Sequence, residues 1–227
     1  MSSLSLRFRN FRYRMFYDML LLRGYRLLPL GDRSTGCQWT FCPDGLNAES
    51  IVYSGGVGRD ITFEHGLVRE FGCSIVLFDP SPTGLETMAL PENQIPQFHY
   101  HQVGLAARCG TLRLAPPRLE SEGSWFSQSG DAATIEVPCV DLATLMQRNG
   151  HDHIDLLKID IEGAEYEVLD DLLKRRLPVK QVLVEFHHGN LPGVRRGQSI
   201  RAMLKMTLGG YRLLLQDGSN HTIIRPS

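Results

Sequence analysis

Residues 154–173, IDLLKIDIEGAEYEVLDDLL, constrain this chain more than any other stretch. An apolar run from Ile154 to Ile159, broken by Asp155 and Lys158, gives way at Asp160 to apolar residues at helical spacing: Ala164, Val168, Leu169, Leu172 and Leu173. The hydrophobic period changes there from strand to helix. Asp160, Glu162 and Glu165, grouped around Gly163, therefore stand where a buried strand meets a helix N-terminus. In open α/β sheets that edge, outside the carboxyl ends of the strands, is where ligands bind. Acids in a first helical turn also complement the helix dipole, for about 0.3–1 kcal/mol each, and Glu162 and Glu165 are open to either reading. Asp160 closes the strand itself and is the candidate functional residue.

A second unit precedes it. Ile51 to Ser54 reads as a strand, followed by the loop Ser54-Gly55-Gly56-Val57-Gly58-Arg59-Asp60. A helix with Phe63, Leu67 and Phe71 at four-residue steps is stopped by Gly72, and Ser74 to Phe78 is a strand ending at Asp79. Asp79 lies 21 positions after Gly58, the spacing of a nucleotide-binding unit in which a carboxylate accepts the ribose hydroxyls. Two features depart from the dinucleotide pattern. No acid closes the first strand, where Val52 and Tyr53 stand, and Ser54 replaces the first glycine. Asp60 would repel a pyrophosphate at the helix N-terminus and suits a cationic ligand group, which tilts the reading from NAD toward S-adenosylmethionine. The alternative for Asp60 is a helix N-cap.

The remaining elements continue an α/β pattern. Thr83 to Leu90 reads as a short helix and Phe98 to Val103 as a third strand, with Gly104 closing it at the same edge. Thr111–Leu114 and Thr134–Val137 read as a strand pair around a polar loop, 116–130. Trp125 in that loop is either the wall of a substrate lid or a staple on the core. Asp141 to Gly150 is a helix leading into the central strand. Val179 to Phe186 is a strand whose alternation puts Leu183, Glu185 and His187 on one face, at the same edge as Asp160, with His188 opposite. Ser199 to Leu208 is a helix. Tyr211–Leu215 and His221–Ile224 form a terminal hairpin around Asp217-Gly218-Ser219-Asn220.

Composition narrows the function classes. A net charge of −1 leaves no electrostatic footprint for nucleic acid. Five scattered cysteines without a CxxC pair argue against a disulfide framework or a zinc site and fit a reducing compartment. No apolar stretch has the length of a membrane span, and the longest apolar run near the N-terminus, Met19 to Leu22, is short for a signal peptide. A cytoplasmic location is expected. Residues 1–45 are read as a basic N-terminal extension, with six arginines against Asp18 in the first 30 residues, and 46–227 as the catalytic domain. The extension is expected to dock either on the domain or on a second subunit, and only the latter would make a homo-oligomer. Its other reading is an amphipathic segment on an anionic membrane. Gly31 to Gly45 reads as irregular.

A mostly parallel seven-stranded sheet finished by a C-terminal antiparallel hairpin resembles the class I methyltransferase Rossmann-like fold. Val140-Asp141-Leu142, then Leu157-Lys158-Ile159-Asp160-Ile161-Glu162-Gly163-Ala164-Glu165, then Val184-Glu185-Phe186-His187, resemble the FkbM family of S-adenosylmethionine-dependent methyltransferases from about Ser50 to the C-terminus. The resemblance implies methyl transfer, typically to a hydroxyl of a small molecule such as a sugar or polyketide. Carried over by position, it puts Ser54, Gly56, Gly58 and Asp60 at the methionine end of the cofactor, Asp79 at the ribose, Gly104 by the adenine and Asp160 beside the methyl donor.

An alcohol acceptor must lose a proton. His187 is the expected general base, since an unperturbed histidine titrates near neutrality. Asp160 with Glu185 could instead hold Mg²⁺, which prefers carboxylate oxygen and would acidify the hydroxyl. Two other function classes compete. A nicotinamide-dependent oxidoreductase would use Asp79 equally well but leaves KIDIEGAE and the hairpin unexplained. A non-catalytic binding protein retaining the fold rests on the altered glycine loop alone.

Overall fold

The computed structural model describes residues 13–117, 125–127, 134–187 and 196–226. The chain enters as a helical segment, 13–20, and a short antiparallel ribbon, β1 (Leu28–Leu30) with β2 (Trp39–Phe41). It continues through β3 (Ile51–Gly55), α1 (Thr62–Phe71), β4 (Ser74–Phe78), α2 (Pro82–Met88) and β5 (Phe98–His101). Four strands follow: β6 (Gly104–Leu105), β7 (Gly110–Ala115), β8 (Phe126–Ser127) and β9 (Ile135–Val140). The last run is α3 (Leu142–Asn149), β10 (Ile154–Ile159), α4 (Glu165–Arg175), β11 (Val179–Glu185), α5 (Arg196–Leu208), β12 (Arg212–Asp217) and β13 (Asn220–Ile224).

The main sheet has seven strands in the order β12-β13-β11-β10-β3-β4-β5. β3, β4, β5, β10 and β11 pair in parallel, and β13 pairs antiparallel with both β11 and β12. This is the class I methyltransferase fold that the sequence implies. Period-two alternation divides the core between the two faces. Tyr53, Val76, Phe78, Leu157 and Val184 share a core with α3, α4 and α5, while Val52, Ile75, Leu77, Leu156 and Leu183 share one with α1. β10 is buried along its whole length, as a central strand covered on both faces must be.

Local chemistry sets the helix ends. Asp141 caps α3 by accepting from the Thr144 N–H at 2.8 Å, and Gly150 ends it at φ 69°. Gly72 ends α1 at φ 71°.

Three expectations need correction. The strand expected over 98–103 stops at His101, and Gly104 opens a second sheet, β6-β9-β7-β8. The pair expected at 111–114 and 134–137 is present in that sheet, Leu112 opposite Val137, but runs longer. The segment 31–45, expected to be irregular, contains β2, whose Trp39 and Phe41 are buried against Phe63 of α1. The N-terminal extension meets the domain at two further places. Tyr17 is 2% exposed beside His221, and the Leu22 N–H donates to the Leu213 carbonyl at 2.7 Å along β12. The basic residues Arg7, Arg9 and Arg12, His188, and most of the loop 116–130 lie outside the described residues.

Gln181 ties the segment after β2 to β11: its Oε1 accepts from the Cys42 N–H at 2.8 Å and its Nε2 donates to the Cys42 carbonyl at 3.0 Å, both buried. Replacing it with alanine strands both backbone groups, so Gln181→Ala is expected to lower the unfolding free energy in urea by about 2 kcal/mol. At the opposite end of the sheet from Asp160, Asp155 accepts from the Ile51 N–H at 2.8 Å and from Lys180. Burial pushes its carboxyl up, but these two donors outweigh it and hold the carboxyl below its ordinary value. A carboxyl depressed in the folded state stabilises the fold above its unfolded pKa and loses that contribution as pH falls through the folded value. Asp155→Asn is therefore expected to be less stable than the parent at pH 7, with the gap closing as pH falls below about 4 in parallel urea titrations.

Candidate active site

β3 and β10 are neighbours at the centre of the sheet, but α1 packs on one face and α4 on the other. A crevice opens outside their carboxyl ends. Its floor is a close backbone contact. Gly56 turns at φ +81°, its N–H donates to the Phe78 carbonyl at 3.1 Å, and the Asp160 N–H donates to the Gly55 carbonyl at 3.1 Å. A Cβ on Gly56 would stand 1.9 Å from the Asp160 carbonyl oxygen. Only glycine fits there, in conformation and in space.

Two cavities meet over this floor and share Gly56, Gly58, Asp160 and Glu162. The narrower is walled by Asp79, Pro80, Gly104, Leu105, Leu112 and Trp125. Asp79 Oδ2 accepts from the backbone N–H groups of Val57 at 2.9 Å and Gly58 at 3.0 Å, and Oδ1 accepts from Ser81 at 2.8 Å. Three donors leave a carboxylate with one further acceptor site. Trp125 is fixed by donating from Nε1 to the Thr83 hydroxyl at 3.2 Å.

The larger cavity is an open cleft of about 1180 Å³. Trp39 and Phe126 contribute apolar wall, and Asp60, Lys158, Glu185 and His187 contribute charge. Asp60, expected near the methionine end of the cofactor, lines this cleft and not the narrow pocket. Its Oδ1 accepts from the Thr62 N–H at 2.7 Å, and its Oδ2 from the Thr35 hydroxyl. It thus braces the turn that leads into α1 from one residue before the N-cap position, Ile61, whose own side chain makes no capping bond. Ser54 lines neither cavity. Its buried hydroxyl donates to Glu64.

Asp160, Glu185 and His187 do converge, as strand alternation requires, and one ligand atom of each lies within 4.8 Å of the others. The environment of His187 is not the expected one. Its Nδ1 lies 2.7 Å from Glu165 Oε1, and its Nε2 is 3.2 Å from Glu162 Oε2 and 3.5 Å from Asp160 Oδ1. Burial opposes its charge, but the Glu165 hydrogen bond and the carboxylates of Glu162 and Asp160 outweigh burial and push the imidazole up to about 10. This environment favours the protonated ring, whereas the expected base role starts from the ordinary titration of a free imidazole. Burial first, and Asp160 beside it, push the Glu185 carboxyl up to about 7. Burial raises Asp160 as well, against the pull of Lys158 and His187.

Glu165 proves to be more than a helix-dipole acid. It is fully buried, and both its oxygens accept from the Gly163 N–H at 3.0 Å while one holds His187. A second group lacked a site role in the sequence reading. Lys158 Nζ donates to the Gly56 carbonyl at 2.7 Å, lies 3.6 Å from Glu64 and sits 5.6 Å from the Trp39 ring centre. Its signal in the sequence was a lysine within an otherwise buried strand, which requires a buried partner. That partner, Glu64, lies on another element and has no periodic mark. Removing one member of a buried pair costs about 3–5 kcal/mol. Lys158→Met is expected to lose stability on that scale, while Lys158→Met combined with Glu64→Gln loses less than the sum of the single changes in a double-mutant cycle.

Residues 48–213 match the Methyltransferase FkbM domain. The human "Probable methyltransferase-like protein 24" is 25% identical over 159 residues, 66% of this chain and 38% of that protein, so the chain spans well under half of that relative's length. Among solved structures, the Methanococcus jannaschii fibrillarin pre-rRNA processing protein aligns with 80% of this chain and 69% of its own, at 10% identity and a TM-score of 0.43. M. jannaschii TYW2, solved in complex with AdoMet, aligns with 90% of this chain and 86% of its own, at 8% identity and a TM-score of 0.36. With the domain match running from before β3 into β12, this chain belongs to the FkbM methyltransferase family.

Proposed function

We propose that the chain transfers a methyl group from S-adenosylmethionine to a hydroxyl of a small molecule such as a sugar or polyketide. The observation that carries this reading is the junction of two unlike cavities at Asp160: a narrow pocket with a carboxylate and an indole, and a wide, open cleft with aromatic and acidic walls. A methyltransferase needs one site for each reactant, meeting at one point. The cofactor fits the narrow pocket by its chemistry. Gly58, with open space where a Cβ would stand, allows the methionine end close to the backbone. The remaining acceptor site of Asp79 suits a ribose hydroxyl, and Gly104, Leu105 and Trp125 offer an apolar slot for adenine.

When bound, S-adenosylmethionine supplies an electrophilic methyl on a sulfonium. Transfer of that methyl to an alcohol would release the hydroxyl proton, which water in the open cleft can accept. The residues of this chain supply alignment, which is worth about 7–11 kcal/mol when the reacting atoms are held in line. Gly56 and Asp160 fix where the two reactants meet, and Trp39 and Phe126 offer the acceptor a surface on which to lie. Mg²⁺ held by Asp160 and Glu185 would acidify the acceptor hydroxyl, and His187, with a ring nitrogen within 4.8 Å of both carboxylates, bears on the choice of ion.

Calorimetric titration is expected to show binding of S-adenosylmethionine and S-adenosylhomocysteine but not NAD, and at least a tenfold loss in Asp79→Ala that retains its far-ultraviolet circular dichroism. Transfer of label from methyl-labelled cofactor to a hydroxyl compound completes the test. Binding of NAD in place of the other two would overturn the reading.

A further inference from the structure

The cleft holds a group that methyl transfer by alignment does not use: an imidazole clamped between acids at the junction. We propose that Nε2 of His187, with a carboxylate oxygen each from Asp160 and Glu185, forms a binding site for a divalent transition-metal ion of the Mn²⁺, Fe²⁺, Co²⁺ or Zn²⁺ kind.

The argument rests on the imidazole more than on the acids. Its two nitrogens have different jobs. Nδ1 is held 2.7 Å from Oε1 of Glu165, a carboxylate that is itself fully buried and anchored by the Gly163 N–H. A metal-bound histidine characteristically donates its other ring N–H to such a carboxylate, which fixes the tautomer and aims the free nitrogen. That leaves Nε2 facing Asp160, Glu162 and the Glu185 side of the cleft, and an ion bound there would displace the proton of Nε2 to water. The three ligand atoms lie within 4.8 Å of one another. An ion about 2.0–2.2 Å from each needs ligand atoms roughly 3–4 Å apart, which is a side-chain adjustment. Asp160 and Glu185 lie at the ends of neighbouring parallel strands, β10 and β11, so rigid elements set their separation. Glu162, 3.2 Å from Nε2, is near enough to orient a water on the ion. The nearby lysine, Lys158, is directed to the Gly56 carbonyl and Glu64.

The donor set selects the class of ion. Mg²⁺ prefers oxygen alone and keeps its waters, whereas an imidazole with carboxylates suits Mn²⁺, Fe²⁺, Co²⁺ and Zn²⁺. The site opens to the cleft that also holds Trp39 and Phe126. Its use rests on the methyltransfer reading: an ion at this point would bind the acceptor oxygen and lower the pKa of its hydroxyl, so that the proton leaves to water before the oxygen meets the methyl group.

The test needs neither cofactor nor acceptor, so its failure and that of the methyltransfer reading are separable. The full chain, stripped with EDTA and dialysed, is titrated with MnCl₂ by calorimetry and electron paramagnetic resonance, then with ZnCl₂ and MgCl₂. One Mn²⁺ per chain is expected, bound at least tenfold more tightly than Mg²⁺. Glu185→Gln and His187→Gln should each weaken Mn²⁺ at least tenfold. Glu165→Gln, which touches the ion only through His187, should weaken it about 10- to 100-fold. Spin-echo modulation from an imidazole nitrogen should accompany bound Mn²⁺ and vanish in His187→Gln, which a merely structural histidine would not produce. No saturable binding of Mn²⁺ or Zn²⁺, or stoichiometric binding unchanged in all three variants, would overturn the proposal. Labelled methyl transfer that proceeds undiminished in excess EDTA would overturn the catalytic use of the ion.

Discussion

The close approach of Gly56 to the Asp160 carbonyl governs the architecture of the site. β3 and β10 run side by side, and the chain must turn out of both at the same level. The turn out of β3 needs positive φ, and its outer side is already filled by the turn out of β10. Because the helices that follow go to opposite faces, the two turns splay apart above this point and a crevice opens. The narrow pocket and the wide cleft are its two halves. Asp160 belongs to both because it is the first residue beyond the strand on which the two turns meet.

Charge is distributed unevenly around that point. On the α1 face, Lys158 is neutralised by Glu64 and fastened to the glycine loop, so a buried cation braces the pocket floor. On the β11 side, four carboxyl groups, those of Asp160, Glu162, Glu165 and Glu185, gather around the imidazole of His187. The first group is compensated internally. The second gathers acids in a partly buried place, an arrangement that favours a cation. Burial is the main reason that Asp160 and Glu185 are raised, with neighbouring acids adding to it, while the acids raise His187 against burial.

Much of this was legible in the sequence because it is written in short periods. The switch at Asp160 from strand to helix, the alternation of Leu183, Glu185 and His187, the spacing from Gly58 to Asp79 and the terminal hairpin are all local, and together they point to an α/β sheet ending in a hairpin and to the edge where the site lies; the order of its strands came only with the structure. What was not legible depends on partners distant in sequence. Three-residue strands such as β2 are too short to show a period, so Trp39 was hidden in a stretch of turn residues although it forms a cleft wall. Gly104 carries no mark of the sheet to which it belongs. Ser54 appears in the glycine loop as a cofactor contact, and only the position of Glu64 shows that its hydroxyl turns inward. His187 is a neutral base by its ordinary titration, and only the placing of Glu165, 22 residues earlier, with Glu162 and Asp160 against it shows that its surroundings favour the protonated ring.

The proposed methyl transfer requires the two reactants to meet in the crevice over Gly56. A crystal structure of the chain with S-adenosylhomocysteine would show whether they do. The adenine is expected between Gly104, Leu105 and Trp125, the ribose at Asp79 and the sulfur at Asp160, pointing into the cleft that holds Glu185 and His187. Density for the ligand elsewhere, or a sulfur facing away from that cleft, would contradict it.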